Sequence, residues 1–125
     1  TAYEIVSRDW SSDVCSSDLT LFMGAVEKYT KSIDKTAESN INYKKSVYAL
    51  EDAVNLIYRE VDAKELGSNA EARNAKVSEK TQNLISAKRE AEYLLEVARA
   101  NEARNKAEVD QMKYIIRALE AKEEA

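Results

Sequence analysis

The chain has no proline and no histidine, and only two glycines, one cysteine and one tryptophan in 125 residues. Each shortage excludes something. With Gly24 and Gly67 as the only backbone breakers, a fold of many short elements lacks the turns it needs, because strands and tight connections depend on such residues. Without histidine, the commonest general base and the commonest nitrogen ligand for a metal are missing. Cys15 alone allows no intrachain disulfide. No apolar run approaches the ~18 residues that suggest a membrane span. A soluble chain with no membrane partner is expected.

What is present is the balance of long amphipathic helices, 44% hydrophobic and 34% charged, with a formal net charge of -4. Leu66-Gly67-Ser68-Asn69 is the strongest helix-breaking signal after Met23. A glycine there suits the left-handed position that ends a helix, and Ser68 with Glu71 three residues later reads as a capping box that starts the next. The expected fold is all-α: a long antiparallel two-helix hairpin of the coiled-coil kind, turning at Leu66–Asn69. Its first helix is expected over about 23–66 and its second over about 69–122.

Apolar residues recur with the seven-residue period of a coiled-coil seam. The first helix carries one row of Val26, Ile33, Val47, Val54 and Val61, with Asn40 filling a step, and a second of Tyr29, Thr36, Tyr43, Leu50 and Ile57. The second helix carries Val77, Leu84, Ala91, Ala98, Asn105, Met112 and Leu119, accompanied by Ala87, Leu94 and Ile115. Folding about Gly67 and Ser68 sets Val61 near Val77, Val54 near Leu84, Val47 near Ala91 and Val26 near Met112. On the exposed face, Glu27 with Lys31 and Glu60 with Lys64 are four-residue pairs in the favourable order.

Residues 1–22 stand apart. Asp9-Trp10-Ser11-Ser12-Asp13-Val14-Cys15-Ser16-Ser17-Asp18-Leu19 resembles the frame translation of a common sequencing-library adapter, a match that includes the lone Trp10 and Cys15. On that reading 1–22 is an artefactual or disordered leader, Met23 is the start, and 1–22 adds nothing to the fold. Trp10 and Cys15 then carry no role. The remainder, 23–125, is close to neutral. Lys28 stands where a myristoylation signal starting at Gly24 wants Ser or Thr.

Four constellations bear on function. The hairpin register places Asn40 near Ala98 and Asn105 near Ile33, with Thr36 and Asn101 between, a polar layer that fixes register or forms a ligand slot; register is the commoner use. Lys28, Lys31 and Lys35 share a helix face and are expected near Lys106, Lys113 and Arg117, a basic group suited to phosphates but interspersed with Glu27, Asp34, Glu108, Asp110 and Glu120. Tyr29 and Tyr43 fall in the seam, which leaves Tyr48, Tyr58, Tyr93 and Tyr114 as seam borders or subunit contacts. Catalysis finds no foothold: there is no glycine-rich phosphate loop, no serine beside a base, and no Glu-x-x-His motif of the kind that holds metals in helical bundles. No cofactor, no metal site and no catalytic residue are expected. A two-helix hairpin hides one stripe per helix, so Tyr48, Tyr58, Leu95, Val109 and Ile116 are expected to seek a second copy in a dimeric four-helix bundle.

The order Gly67-Ser68-Asn69-Ala70-Glu71-Ala72-Arg73-Asn74-Ala75-Lys76-Val77, followed by an Ala/Glu/Arg-rich helix ending Tyr114-Ile115-Ile116-Arg117-Ala118-Leu119, resembles small helical-hairpin proteins of bacteriophages and prophages. That resemblance covers about half the chain. It implies a cytoplasmic, non-enzymatic interaction or assembly protein in a bacterial host cell. The alternative it implies is an accessory of phage recombination or replication that binds single-stranded DNA. For that alternative the candidate contacts are Lys28, Lys31, Lys35, Lys106, Lys113 and Arg117.

Overall fold

The computed structural model describes residues 16–124; all but a few of these are helical, with no strand among them. In chain order the helices are α1 (Ser16–Glu60), α2 (Ala63–Leu66), α3 (Ala70–Lys80) and α4 (Gln82–Glu124). The long helices α1 and α4 pack together. By density of contact the chain divides into two compact units, one made of the chain up to Thr36 with Ala98 onward, the other of Ala37–Val97.

In the first unit, the start of α1 runs antiparallel to the end of α4. Phe22 and Ala25 are buried against Val109 and Ile116, with Leu19, Val26, Tyr29 and Met112 packed around them. Phe22 and Ile116 are each 2% exposed, and burying side chains of this size contributes roughly 2 to 3 kcal/mol apiece. The first helix therefore begins well before Met23. Leu19 and Phe22 belong to this core, which corrects the expectation that 1–22 adds nothing to the fold. Asp9–Cys15, including Trp10, lie outside the described residues.

The second unit reverses the chain. α1 ends at Glu60 rather than near 66, because Asp62 takes up an extended conformation (φ -61, ψ 135) and caps the one-turn α2. Its carboxylate accepts the Lys64 amide at 3.2 Å. Glu60 and Lys64 therefore do not share a helix, unlike Glu27 and Lys31, whose charged atoms lie 3.3 Å apart in α1. Leu66, 4% exposed, closes the turn from inside.

Gly67 then adopts φ 149 and ψ 165. This is an extended conformation of positive φ, not the left-handed helical one, and it is essentially open to glycine alone. Asn69, not Ser68, caps α3, its side-chain oxygen accepting the Ala72 amide at 2.7 Å. Tyr58 in α1 donates to Asn74 Oδ1 in α3 at 2.8 Å and ties the two arms of the turn.

The expected single second helix is interrupted once. Thr81 leaves helical geometry (φ -108, ψ 16) between α3 and α4. It is 3% exposed, and its hydroxyl donates to the Val77 carbonyl at 2.8 Å. A β-branched residue whose side chain bonds back to the preceding turn competes with the backbone ladder at that point.

Burial along both long helices alternates in steps of three and four. On α1 the inward positions are Phe22, Ala25, Tyr29, Ser32, Thr36, Ser39, Tyr43, Ser46, Leu50, Ala53 and Ile57. The Tyr29–Ile57 row is where the sequence pattern puts it. The companion row is displaced by one residue in its first half, where small Ala25, Ser32 and Ser39 are buried, Val26 and Asn40 are half-buried beside them and Ile33 is 41% exposed; farther on, Val47 and Val54 are half-buried alongside Ser46 and Ala53, and Val61 is half-buried. From α3 into α4, Val77 to Met112 line up as expected, but the second row is Thr81, Lys88, Leu95, Glu102, Val109 and Ile116. Ala87 is exposed, and Leu94, Ile115 and Leu119 are 51%, 52% and 40% exposed.

Two outcomes follow for stability. Gly67→Val should lower the unfolding free energy by about 2 kcal/mol in urea titrations, because a side chain is strained at this φ and a Cβ would stand 2.8 Å from the Ala72 Cβ; an unchanged midpoint would show that the turn takes another path. Phe22→Ala should cost about 3 kcal/mol, against under about 0.5 kcal/mol for Leu21→Ala, whose side chain is 64% exposed. Equal effects at the two neighbours would remove Phe22 from the core.

Candidate functional site

Two groups of side chains in the first unit could carry function, a buried polar set and the basic residues. Ser32 and Asn105 are each 5% exposed. The Thr36 hydroxyl lies 3.0 Å from the Ser32 carbonyl in its own helix and 3.2 Å from the Ala98 carbonyl of α4. Asn105 Nδ2 donates to the Lys28 carbonyl at 3.4 Å, and Ser32 Oγ donates to the Tyr29 carbonyl at 2.6 Å. Among the described residues no buried side-chain nitrogen or oxygen lacks a partner. A ligand slot would present an orphaned polar atom, whereas this set consumes its own hydrogen-bonding capacity.

The polar residues do not meet as the sequence register has them. Thr36, rather than Asn40, faces Ala98, and Asn105 reaches the backbone of Lys28 rather than Ile33. The offset is about one helical turn. Its cause lies in the reversal, where α1 stops at Glu60 and the pairing folds earlier than a helix continued to residue 66 would allow.

The six basic candidates share the first unit but not one face. Lys28 Nζ lies 3.3 Å from Glu108 Oε2. Helical spacing puts Lys35 on the Lys28 flank and Lys31 just outside it, where Lys31 pairs with Glu27. Taking the buried positions of α4 as inward, Glu108 lies roughly a quarter-turn to one side, and Lys106, Lys113 and Arg117 roughly a quarter-turn to the other. The structure therefore separates Lys28 and Lys35 from Lys106, Lys113 and Arg117. The latter three are exposed and form no ion pair among the described residues. Arg99, exposed and seven residues before Lys106, continues that flank; the period of basic residues in α4 is the signal that finds it.

Tyr48, Tyr58, Tyr93 and Tyr114 are 60%, 45%, 64% and 69% exposed. Tyr29 and Tyr43 are half-buried, as their seam positions require. A shallow open depression on α1 is lined by Thr20, Met23, Gly24 and Glu27, where Gly24 leaves the helix surface without a side chain. Among the described residues no group of acidic or cysteine side chains is placed to hold a metal ion. No described helix is long and apolar enough to cross a membrane. Compared with protein-family models, with curated proteins and with solved structures, the chain matches none.

The two kinds of polar contact should respond differently to substitution. Asn105→Ala should destabilise the chain by about 1 to 2 kcal/mol, because it removes a buried interhelical bond and leaves a void. Lys28→Gln should change stability by less than about 0.5 kcal/mol, since the side chains of the Lys28–Glu108 pair are 61% and 44% exposed. Thermal melts in low and high salt would check the ranking; a larger loss at Lys28 would reverse it.

Proposed function

We propose that this chain is a non-enzymatic interaction and assembly protein, a coiled-coil hairpin of phage origin that acts by binding helices to helices. The observation that carries the reading is the number of large apolar side chains left exposed on the described helices. Leu21, Ile41, Tyr48, Tyr93, Val97, Tyr114 and Ile115 are between 47% and 69% exposed. Large apolar and aromatic side chains exposed on a helix supply area for contact with another helix. Of the side chains expected to seek a second copy, Tyr48 and Tyr58 remain available. Leu95, Val109 and Ile116 are 3%, 4% and 2% exposed within the chain itself, so association does not rest on them.

A dimeric four-helix bundle is the simplest closure of such a surface. Sedimentation equilibrium at protein concentrations on the order of tens of micromolar should show dimers that retain full helicity. A monomer that melts cooperatively over the same range would refute it.

The exposed basic flank of α4 supports a second reading, binding of single-stranded DNA through phosphates. Here Arg99, Lys106, Lys113 and Arg117 would make the contacts, and Lys28, whose charge is spent on Glu108, would contribute little. Neutralising Arg99, Lys106 and Lys113 together should reduce the slope of log affinity against log salt by about 0.7 per lost contact. Neutralising Lys28 and Lys31 should leave that slope nearly unchanged. Absence of binding at low salt would eliminate this reading and leave the first intact.

A further inference from the structure

On the side of α4 turned away from α1 in the first unit, Ala107, Gln111, Tyr114 and Ala118 follow one another at spacings of four, three and four, and all are exposed. This is the spacing of the buried stripe itself, repeated on the opposite face of the same helix. The outward face of α1 in this unit is different in kind: Glu27, Lys31 and Asp34 occupy it, and Glu27 and Lys31 neutralise each other. One outward face thus carries charge along its length. The other is smooth, with one large ring, Tyr114, 69% exposed.

Charges at the border of the smooth face say what fits it. Asp110 and Arg117 stand on the same edge, seven residues apart, and neither forms an ion pair among the described residues. In an antiparallel pair of helices, edge residues that precede corresponding stripe positions face each other, as Lys28 and Glu108 do here. Two copies of α4 laid antiparallel about a two-fold axis between residues 112 and 113 put Asp110 opposite the partner's Arg117 and Arg117 opposite the partner's Asp110. The same register sets Ala107 against the partner's Ala118, which permits close backbone approach, and Tyr114 against the partner's Gln111.

We infer that this face of α4 is a self-association surface, occupied by the same face of a second copy in antiparallel register and held in that register by two Asp110–Arg117 pairs. The inference rests on the assembly reading above and specifies its geometry. A two-fold axis makes the contact close on itself, giving dimers rather than filaments. A register displaced by one seven-residue step toward the start of α4 would place Asp110 against the partner's Asp110, so like-charge repulsion opposes that slip.

The test is a charge-exchange cycle in the full chain, under reducing conditions so that Cys15 cannot link copies. The dimer dissociation constant is read by sedimentation equilibrium, and helicity by circular dichroism. Asp110→Arg and Arg117→Asp should each weaken the dimer about ten-fold or more, with helicity kept. The double variant should return to within about three-fold of the original. Single variants that leave the dimer unchanged, or a double variant as weak as the singles, would overturn this surface while leaving self-association standing. A monomeric unsubstituted chain would overturn both. Asp34→Ala, on the charged outward face of α1, should not move the constant.

Discussion

The constraint on which the structure depends is that a single helix can hide only a narrow stripe of itself against one neighbour. On α1 and α4 that stripe is two positions wide, alternating in steps of three and four. In the first unit small Ala25 meets the larger Val109 side of the interface, and Ser32 and Thr36 occupy the adjoining steps. Small side chains on one helix let the two backbones approach. That proximity is what lets Thr36 and Asn105 reach carbonyls of the opposite helix, at 3.2 and 3.4 Å. The Lys28–Glu108 pair then falls at the edge of the stripe, where two long side chains can meet over the top of it.

Helical class, the reversal near Gly67 and the row from Val77 to Met112 were legible because each has a strong local signal, a scarcity of breakers or a run of apolar residues at fixed spacing. The first half of the companion row on α1 lies one residue from where the pattern puts it. A pattern that ranks side chains by hydrophobicity prefers Val26 and Ile33 over Ala25 and Ser32. Packing prefers the small ones, because a serine that bonds its own helix costs little to bury and takes little room. The end of α1 carried a readable sign that the glycine overshadowed: Asp62 followed by Glu65 three residues on is a helix-start signature. Thr81 had no such sign, since a threonine within a helix more often continues it.

The candidate sites were legible residue by residue but not in arrangement. Lys28, Lys31 and Lys35 share a side of α1 as spacing demands. Which side of α4 they meet depends on the face that α4 turns inward: with Leu95, Val109 and Ile116 inward in place of Ala87, Leu94 and Ile115, Glu108 comes beside Lys28, and Lys106, Lys113 and Arg117 fall on the other flank. Asn105 was recognised as buried and polar, while its partner was not, because the partner is a backbone carbonyl and no side-chain pattern encodes it.

The buried serines have a consequence for how firmly the helices are indexed to each other. Ser32 and Ser46 spend their hydroxyls on carbonyls three residues back in their own helix, at 2.6 Å in both cases. They are silent toward whatever lies opposite. A displacement of α1 by one seven-residue step would lay serine where serine had been at two positions and exchange alanine with serine at the ends of the row, with almost no polar cost along it. Alignment information is therefore concentrated in few places, the Thr36 and Asn105 bonds and the covalent tether of the turn. Sequence drift in the serine row would leave the pairing intact, whereas loss of Asn105 would turn a ruled scale into a nearly unmarked rail.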